Sequence, residues 1–304
     1  MVSPTLTAAS RSRARALFFF SALFFGLSAL FVRVATHLGG LSGVQVSLAR
    51  FTVGLVAVLV IFAVRPRTLR ATNHPLLAAR AIFGGLSGLF YFKAIALIPT
   101  GEATLLNNTF PLWGVLLSFF LLRERPTLHL ALALVVAGGG VFLVMGGGET
   151  RFALGTGQLL ALASGVCGGT AVTAIRALRP THNAATIFFA FSLGGVLASS
   201  PALAEPWPTT LLPWGATLAV GLSAFAAQML MTHAYGTLAV AEAAVWQQLT
   251  PISSFAWAMT LGERVTGVTA VGVALGVAGI VYATVLGHVP AAEPAAQPRV
   301  APEG

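Results

Sequence analysis

Polar residues are sparse in this chain and fall between long apolar runs. A membrane-spanning helix needs about 20 mostly apolar residues. Ten runs meet that need: 16–38, 42–64, 76–98, 103–122, 129–147, 156–178, 185–203, 214–235, 241–260 and 267–287. The connections between them are short. This pattern predicts an all-α integral membrane protein with ten transmembrane helices. Residues 1–15 precede the first run, and the Pro- and Ala-rich stretch from Pro290 reads as a disordered tail.

Composition agrees. Of 304 residues, 57% are hydrophobic and 8% charged, against roughly 25% charged in a soluble domain. No water-facing surface can be built from such a chain. The net charge of +9 could suggest a nucleic-acid partner, but the arginines sit in short loops between apolar runs. That is the pattern of cytoplasmic loops, and it argues against nucleic acid. With the N-terminus in the cytoplasm, that side collects Arg11, Arg13, Arg15, Arg65, Arg67, Arg70, Arg123, Arg125, Arg176 and Arg179. The other side keeps Arg151 and Arg264. Ten spans then return the C-terminus to the cytoplasm. Arg11–Arg15 followed by an apolar run also resembles a signal peptide, but the run is long enough to span and no cleavage site follows. A single cysteine, Cys167, allows no intrachain disulfide and offers no Cys-based metal cluster. No metal and no cofactor are expected.

The chain repeats itself. Glu102–Pro111 (Glu-Ala-Thr-Leu-Leu-Asn-Asn-Thr-Phe-Pro) returns 140 residues later as Glu242–Pro251 (Glu-Ala-Ala-Val-Trp-Gln-Gln-Leu-Thr-Pro). Beyond them, Arg123-Glu124-Arg125 pairs with Gly262-Glu263-Arg264 after a one-residue slip, and Gly26 and Arg33 share the spacing of Gly169 and Arg176. The expected domains are two five-helix repeats, 16–147 and 156–287, joined by a linker at 148–155. Five is odd, so the second repeat enters the membrane inverted. Matched polar groups and helix breakers in two inverted halves point to a transporter's binding site.

The candidate substrate contacts follow. Asn107, Asn108, Gln247 and Gln248 donate and accept hydrogen bonds without a fixed charge. They suit a substrate that must be held and released, or else they join helices to one another. Pro111 and Pro251 remove backbone donors, either freeing carbonyls for a ligand or merely kinking their helices. Arg50 and Lys93, with His233 aligned to Lys93, are cations that could meet a substrate carboxylate. Arg50 could equally bond helix carbonyls. Arg33, Arg80 and Arg176 lie near span ends, where snorkelling to headgroups accounts for them. Trp246 and Tyr91 are the preferred aromatic contacts. Glu102 and Glu242 open their spans, where the helix macrodipole favours a carboxylate. Glu124 and Glu263 read as interfacial charges. Three GxxxG pairs, Gly84–Gly88, Gly165–Gly169 and Gly272–Gly276, allow close helix packing, and the last could also join two copies in a homodimer.

Gly26 with Arg33, Arg50, the Tyr91–Glu102 approach to a proline-containing span and the Glu124–Arg125 turn before a Gly-rich span resemble the EamA-type members of the drug/metabolite transporter superfamily. The resemblance covers both halves. It implies ten helices and secondary export of small metabolites such as amino acids, here across a bacterial inner membrane. The chain carries no GxxxxGK[ST] phosphate loop, so a gradient or exchange would drive alternating access. The enzyme alternative is an intramembrane serine protease built on Gly85-Leu86-Ser87-Gly88 and His233. It needs a base within reach of the serine. Aspartyl and zinc proteases are excluded, because the chain has neither an Asp nor an HExxH. A non-transporting membrane sensor would share the bulk features.

Overall fold

A computed structural model of the chain describes residues 8–65, 71–95, 97–98, 100–144, 155–261 and 266–286. Arg67, Arg70, Arg151, the Glu263–Arg264 turn, most of the linker and the tail lie outside the described residues, as does the side chain of Glu102. Among the described residues every regular element is helical.

The order is α1 (Ala8–Arg33), α2 (Gly43–Val64), α3 (His74–Ile95), α4 (Thr100–Asn107), α5 (Phe110–Leu122), α6 (Leu128–Val144), α7 (Thr156–Leu178), α8 (Ala184–Ser199), α9 (Leu211–Ala234), α10 (Val240–Gln247), α11 (Leu249–Ala258) and α12 (Gly267–Leu286). Seven of these segments are individually long and apolar enough to cross a membrane, and α5 and α6 are shorter apolar helices.

Local chemistry sets the ends. Ser42 caps α2 by accepting from the Gln45 N–H at 3.1 Å, while Gln45 Oε1 accepts from the Ser42 N–H at 2.9 Å. That reciprocal box satisfies two donors that would otherwise lack a helical partner. The Asn183 carboxamide does the same for α8 through the Thr186 N–H at 2.8 Å. Helix α5 stops at Arg123, whose φ of 55° turns the chain left-handed and sends the Glu124 N–H back to Ser118 O at 3.2 Å. Helix α1 starts at Ala8, well before its apolar run, because Arg11 and Arg15 find a buried partner described below. It ends in a π-helical turn, Val34–Leu38.

The apolar runs 103–122 and 241–260 are not continuous helices. The first breaks at Asn108–Thr109 and the second at Gln248. Pro111 is the second residue of α5 and Pro251 the third of α11. Neither can donate a backbone hydrogen bond, so the carbonyls of Asn107 and Gln247, four residues upstream, lose their helical donors.

Packing is reciprocal. Helix α1 lies along α9 and α3 along α7; α5 packs on α7 and α11 on α1; α2 meets α8 and α6 meets α12. Interchanging the helices of residues 16–147 with those of 156–287 leaves this set of neighbours unchanged. Small residues permit the closest crossings. A Cβ at Gly140 on α6 would collide with the α12 backbone at Gly272 and Gly276, and one at Gly194 on α8 with α3 at Ala81. The Gly272–Gly276 pair therefore packs within its own chain, and this face is not open for a contact between two copies. Outside the bundle the polarity is the reverse of a soluble protein's. Phe20, Val60, Phe120, Val135, Leu197 and Val281 are exposed along their helices, an apolar surface that water would not tolerate.

Candidate functional site

A cavity of about 940 Å³ occupies the middle of the bundle, where α1, α2, α3, α7, α8 and α9 surround the two helix breaks. One end opens at Arg33 and His37, exposed residues at the end of α1 that line it. The first half of α1 contributes nothing to the lining. The cavity thus opens at the end of the bundle where α1 finishes.

The opposite end is shut by charge. Glu242, in the first turn of α10, is completely buried. Its Oε1 accepts from Arg15 Nε at 2.8 Å, and Arg11 Nε stands 3.2 Å from Oε2. At the start of the same helix, the left-handed turn at Arg123 delivers Glu124 to a second bridge. Glu124 Oε1 accepts from Arg176 Nε at 2.7 Å, and its Oε2 accepts the Val240 N–H at 2.9 Å. Arg176 also donates to Tyr235 O at 3.1 Å. Two carboxylates therefore tie α1, α7 and the start of α10 together. Glu242 does more than sit well in a helix dipole, Glu124 is not an ordinary interfacial charge, and Arg176 does not snorkel. Each is held by a partner that lies far away in sequence.

The candidates read from sequence divide into two groups. Asn107, Asn108, Gln247, Tyr91, Arg50 and Pro251 line the cavity. Lys93 and His233 are exposed and do not, and His233 bonds its own helix through Nδ1 to Met229 O at 2.8 Å. Their matching positions put both at span ends, on helix faces turned away from the interior. Trp246 and Pro111 do not line it either. The Trp246 ring packs between two parts of the core, with its Nε1 buried and without a hydrogen-bond partner. Gln248 is buried behind the wall, and Asn108 Nδ2 donates to its Oε1 at 3.1 Å.

Three side-chain oxygens of this site are already engaged. Asn107 Oδ1 accepts from Ser164 Oγ at 2.6 Å, Gln247 Oε1 accepts from Tyr235 OH at 3.3 Å, and the Tyr91 hydroxyl is 2.7 Å from Thr104 Oγ1. Two lining residues escaped the sequence reading. Arg80 is only 3% exposed, and its guanidinium lies 3.8 Å over the Phe191 ring. It does not snorkel, because its side chain is buried against Phe191 of α8. The signal was Gly84, one turn on, where a side chain would strike the Arg80 guanidinium. Gln228 on α9 is the other, a lone carboxamide in an apolar helix whose Nε2 has no partner.

The serines of the two GxSG patterns have other work. Ser87 Oγ donates to Ser164 O at 3.0 Å, while Ser42 caps α2 and also donates to Glu205. His233 touches neither in the hydrogen bonds observed. Among the described residues no group of His, Cys, Asp or Glu could hold a metal ion.

Comparison with known proteins agrees with this architecture. Pseudopaline exporter CntI from two strains of Pseudomonas aeruginosa is 27% identical over 220 residues, covering 71% of this chain and 77% of the exporter. A solved crystal structure superposes with a TM-score of 0.77 at 25% identity, over 91% of this chain and 98% of the other. The EamA-like transporter family model matches twice, at residues 13–146 and 155–285. With nearly the whole helical bundle matched in two consecutive copies, this multi-pass membrane protein belongs to the EamA-like transporter family of the drug/metabolite transporter superfamily.

Proposed function

We propose that the protein is a secondary exporter that moves small polar metabolites, amino acids or molecules derived from them, across a bacterial inner membrane by alternating access. The observation that carries this is a central cavity at two helix breaks, open at one end and closed at the other by buried carboxylate–arginine bridges. The relatives named as exporters support the direction.

In this reading the chain crosses the membrane ten times, each broken pair α4–α5 and α10–α11 counting as one crossing. The two halves are inverted repeats, supported by the interchangeable helix contacts. Both termini lie in the cytoplasm, supported by the arginine bias, so the cavity faces outward and the Glu242 and Glu124 bridges form the closed cytoplasmic gate. Substrate contacts come from Asn107, Asn108, Tyr91, Arg50 and Arg80, while Gln247 and Gln248 stiffen the second break. Rocking the halves would part Arg11 and Arg15 from Glu242 and close the far end over the substrate. No step requires an enzyme's chemistry.

Counterflow of radiolabelled solutes in proteoliposomes tests the function, comparing wild type with Asn107→Ala. Exchange that the variant loses supports both the class and the site. Exchange untouched by the variant removes Asn107 from the site, and no exchange of any pooled metabolite defeats the exporter reading. A Ser254→Cys variant in a Cys167→Ser background tests the orientation. It should react with a membrane-impermeant maleimide from outside intact cells, and labelling confined to inverted vesicles would reverse the assignment.

A further inference from the structure

The polar groups of the cavity are unbalanced. Three arginines line it: Arg33 at the exposed mouth and, as the two inner guanidinium groups, Arg50 from α2 and Arg80 from α3. No Glu lines it among the described residues, and the chain has no Asp. Neither inner arginine has a carboxylate partner there, unlike Arg11, Arg15 and Arg176, which all do. Each stands against an aromatic ring: Arg50 is 5.1 Å from the Phe51 centroid and Arg80 is 3.8 Å from that of Phe191. Those two rings meet edge to face at 5.0 Å, and both line the cavity. Each inner cation thus stands against one ring of a single aromatic pair.

Hydrogen-bonding capacity points the same way. The side-chain oxygens of Asn107, Gln247 and Gln248 already accept from protein donors. The buried polar atoms still lacking partners on lining residues are Arg80 Nε and Gln228 Nε2, both donors. A buried cation without a counter-ion is strongly unfavourable, and a planar guanidinium matches an oxyanion through paired N–H groups. An ammonium would find no carboxylate to meet it.

Building on the transporter reading, we propose that the substrate is an organic anion with two separated acidic groups. Arg80 holds one and Arg50 the other, and the intervening skeleton lies on Phe51 and Phe191. A simple zwitterion would leave one guanidinium unmatched and its own ammonium stranded. A compact inorganic oxyanion would leave the Phe51 and Phe191 rings without a partner. The bound anion neutralises the cavity, so closing the outer end over a loaded site buries paired rather than bare charges.

Counterflow in proteoliposomes with labelled citrate, succinate, glutamate, inorganic phosphate, alanine and lysine tests this. The polycarboxylates should exchange in preference to alanine, lysine and phosphate. Arg80→Gln should reduce that exchange by about thirtyfold or more, and Arg80→Lys should restore part of it. Thermal midpoint and gel filtration confirm that each variant is folded, and Arg50→Gln replaces Arg80→Gln if the latter is not. Preference for alanine, lysine or phosphate, or polycarboxylate exchange indifferent to both arginines, overturns the anion assignment and leaves the transporter standing. No exchange of any of these or of a wider metabolite pool by folded wild-type protein overturns the transporter reading, and the anion assignment falls with it.

Discussion

The two helix breaks arise from matching sequence yet do different jobs. At the first, Asn107, Asn108 and Phe110 face the cavity, and the break leans on α7 through the Ser164 hydroxyl. At the second, Gln248 and Trp246 are turned into the core, and the helix that precedes it is anchored by Glu242 to two arginines of α1. Between them, Asn108 and Gln248, equivalent residues 140 apart, hydrogen-bond to each other, as equivalent groups near a two-fold axis can. Both breaks reach the cavity, the second through Gln247 and Pro251, but among the described residues only the second is preceded by a helix tied to a buried ion pair. The difference comes from charge: a buried carboxylate needs cations around it, and Arg11 and Arg15 in the first turns of α1 supply them only beside α10.

Substitutions can break this contrast. Glu242→Ala strands Arg11 and Arg15 and should destabilise the protein by about 3 kcal/mol or more, read by denaturant unfolding in detergent. Should it remain folded, a cysteine introduced beside the closed end in a Cys167→Ser background should also become reactive to thiol reagents from that side. A loss under about 1 kcal/mol would mean that the ion pair does not hold this end. Asn107→Ala frees the Ser164 hydroxyl and should lower stability by only about 1 kcal/mol, while transport falls far more. Equal losses at the two breaks in both assays would erase the distinction. The smallest effect is the coupling between Asn108→Ala and Gln248→Ala. A double-mutant cycle should give about 0.6 kcal/mol, the usual size of an interhelical hydrogen bond in a membrane, and zero coupling would remove the contact between the breaks.

Much of the fold was legible because a bilayer punishes exposed polar backbone so severely that only long apolar helices survive. Nearly every observed helix end falls within a few residues of an apolar run's limit, and the positions of Pro111 and Pro251 mark where two runs come apart. The site was less legible. Lys93 and His233 share a register with each other but not with the cavity, because register along a span does not say which face turns inward. Arg80 was hidden by its place near a span end, where sequence cannot tell a side chain that reaches the headgroups from one that turns inward onto Phe191.

The sequence by itself determined the helical membrane class, the family, the duplication and the presence of costly polar groups in apolar runs, since each follows from composition and spacing along one chain. Tertiary structure alone decided which of those groups meet. Glu242 finds Arg11 and Arg15 more than 220 residues away, Asn108 finds Gln248, and Arg50 and Arg80 are left facing one cavity with no carboxylate against them among the described residues. A buried charge is governed by its nearest partner in space, and that partner is set by how the helices pack.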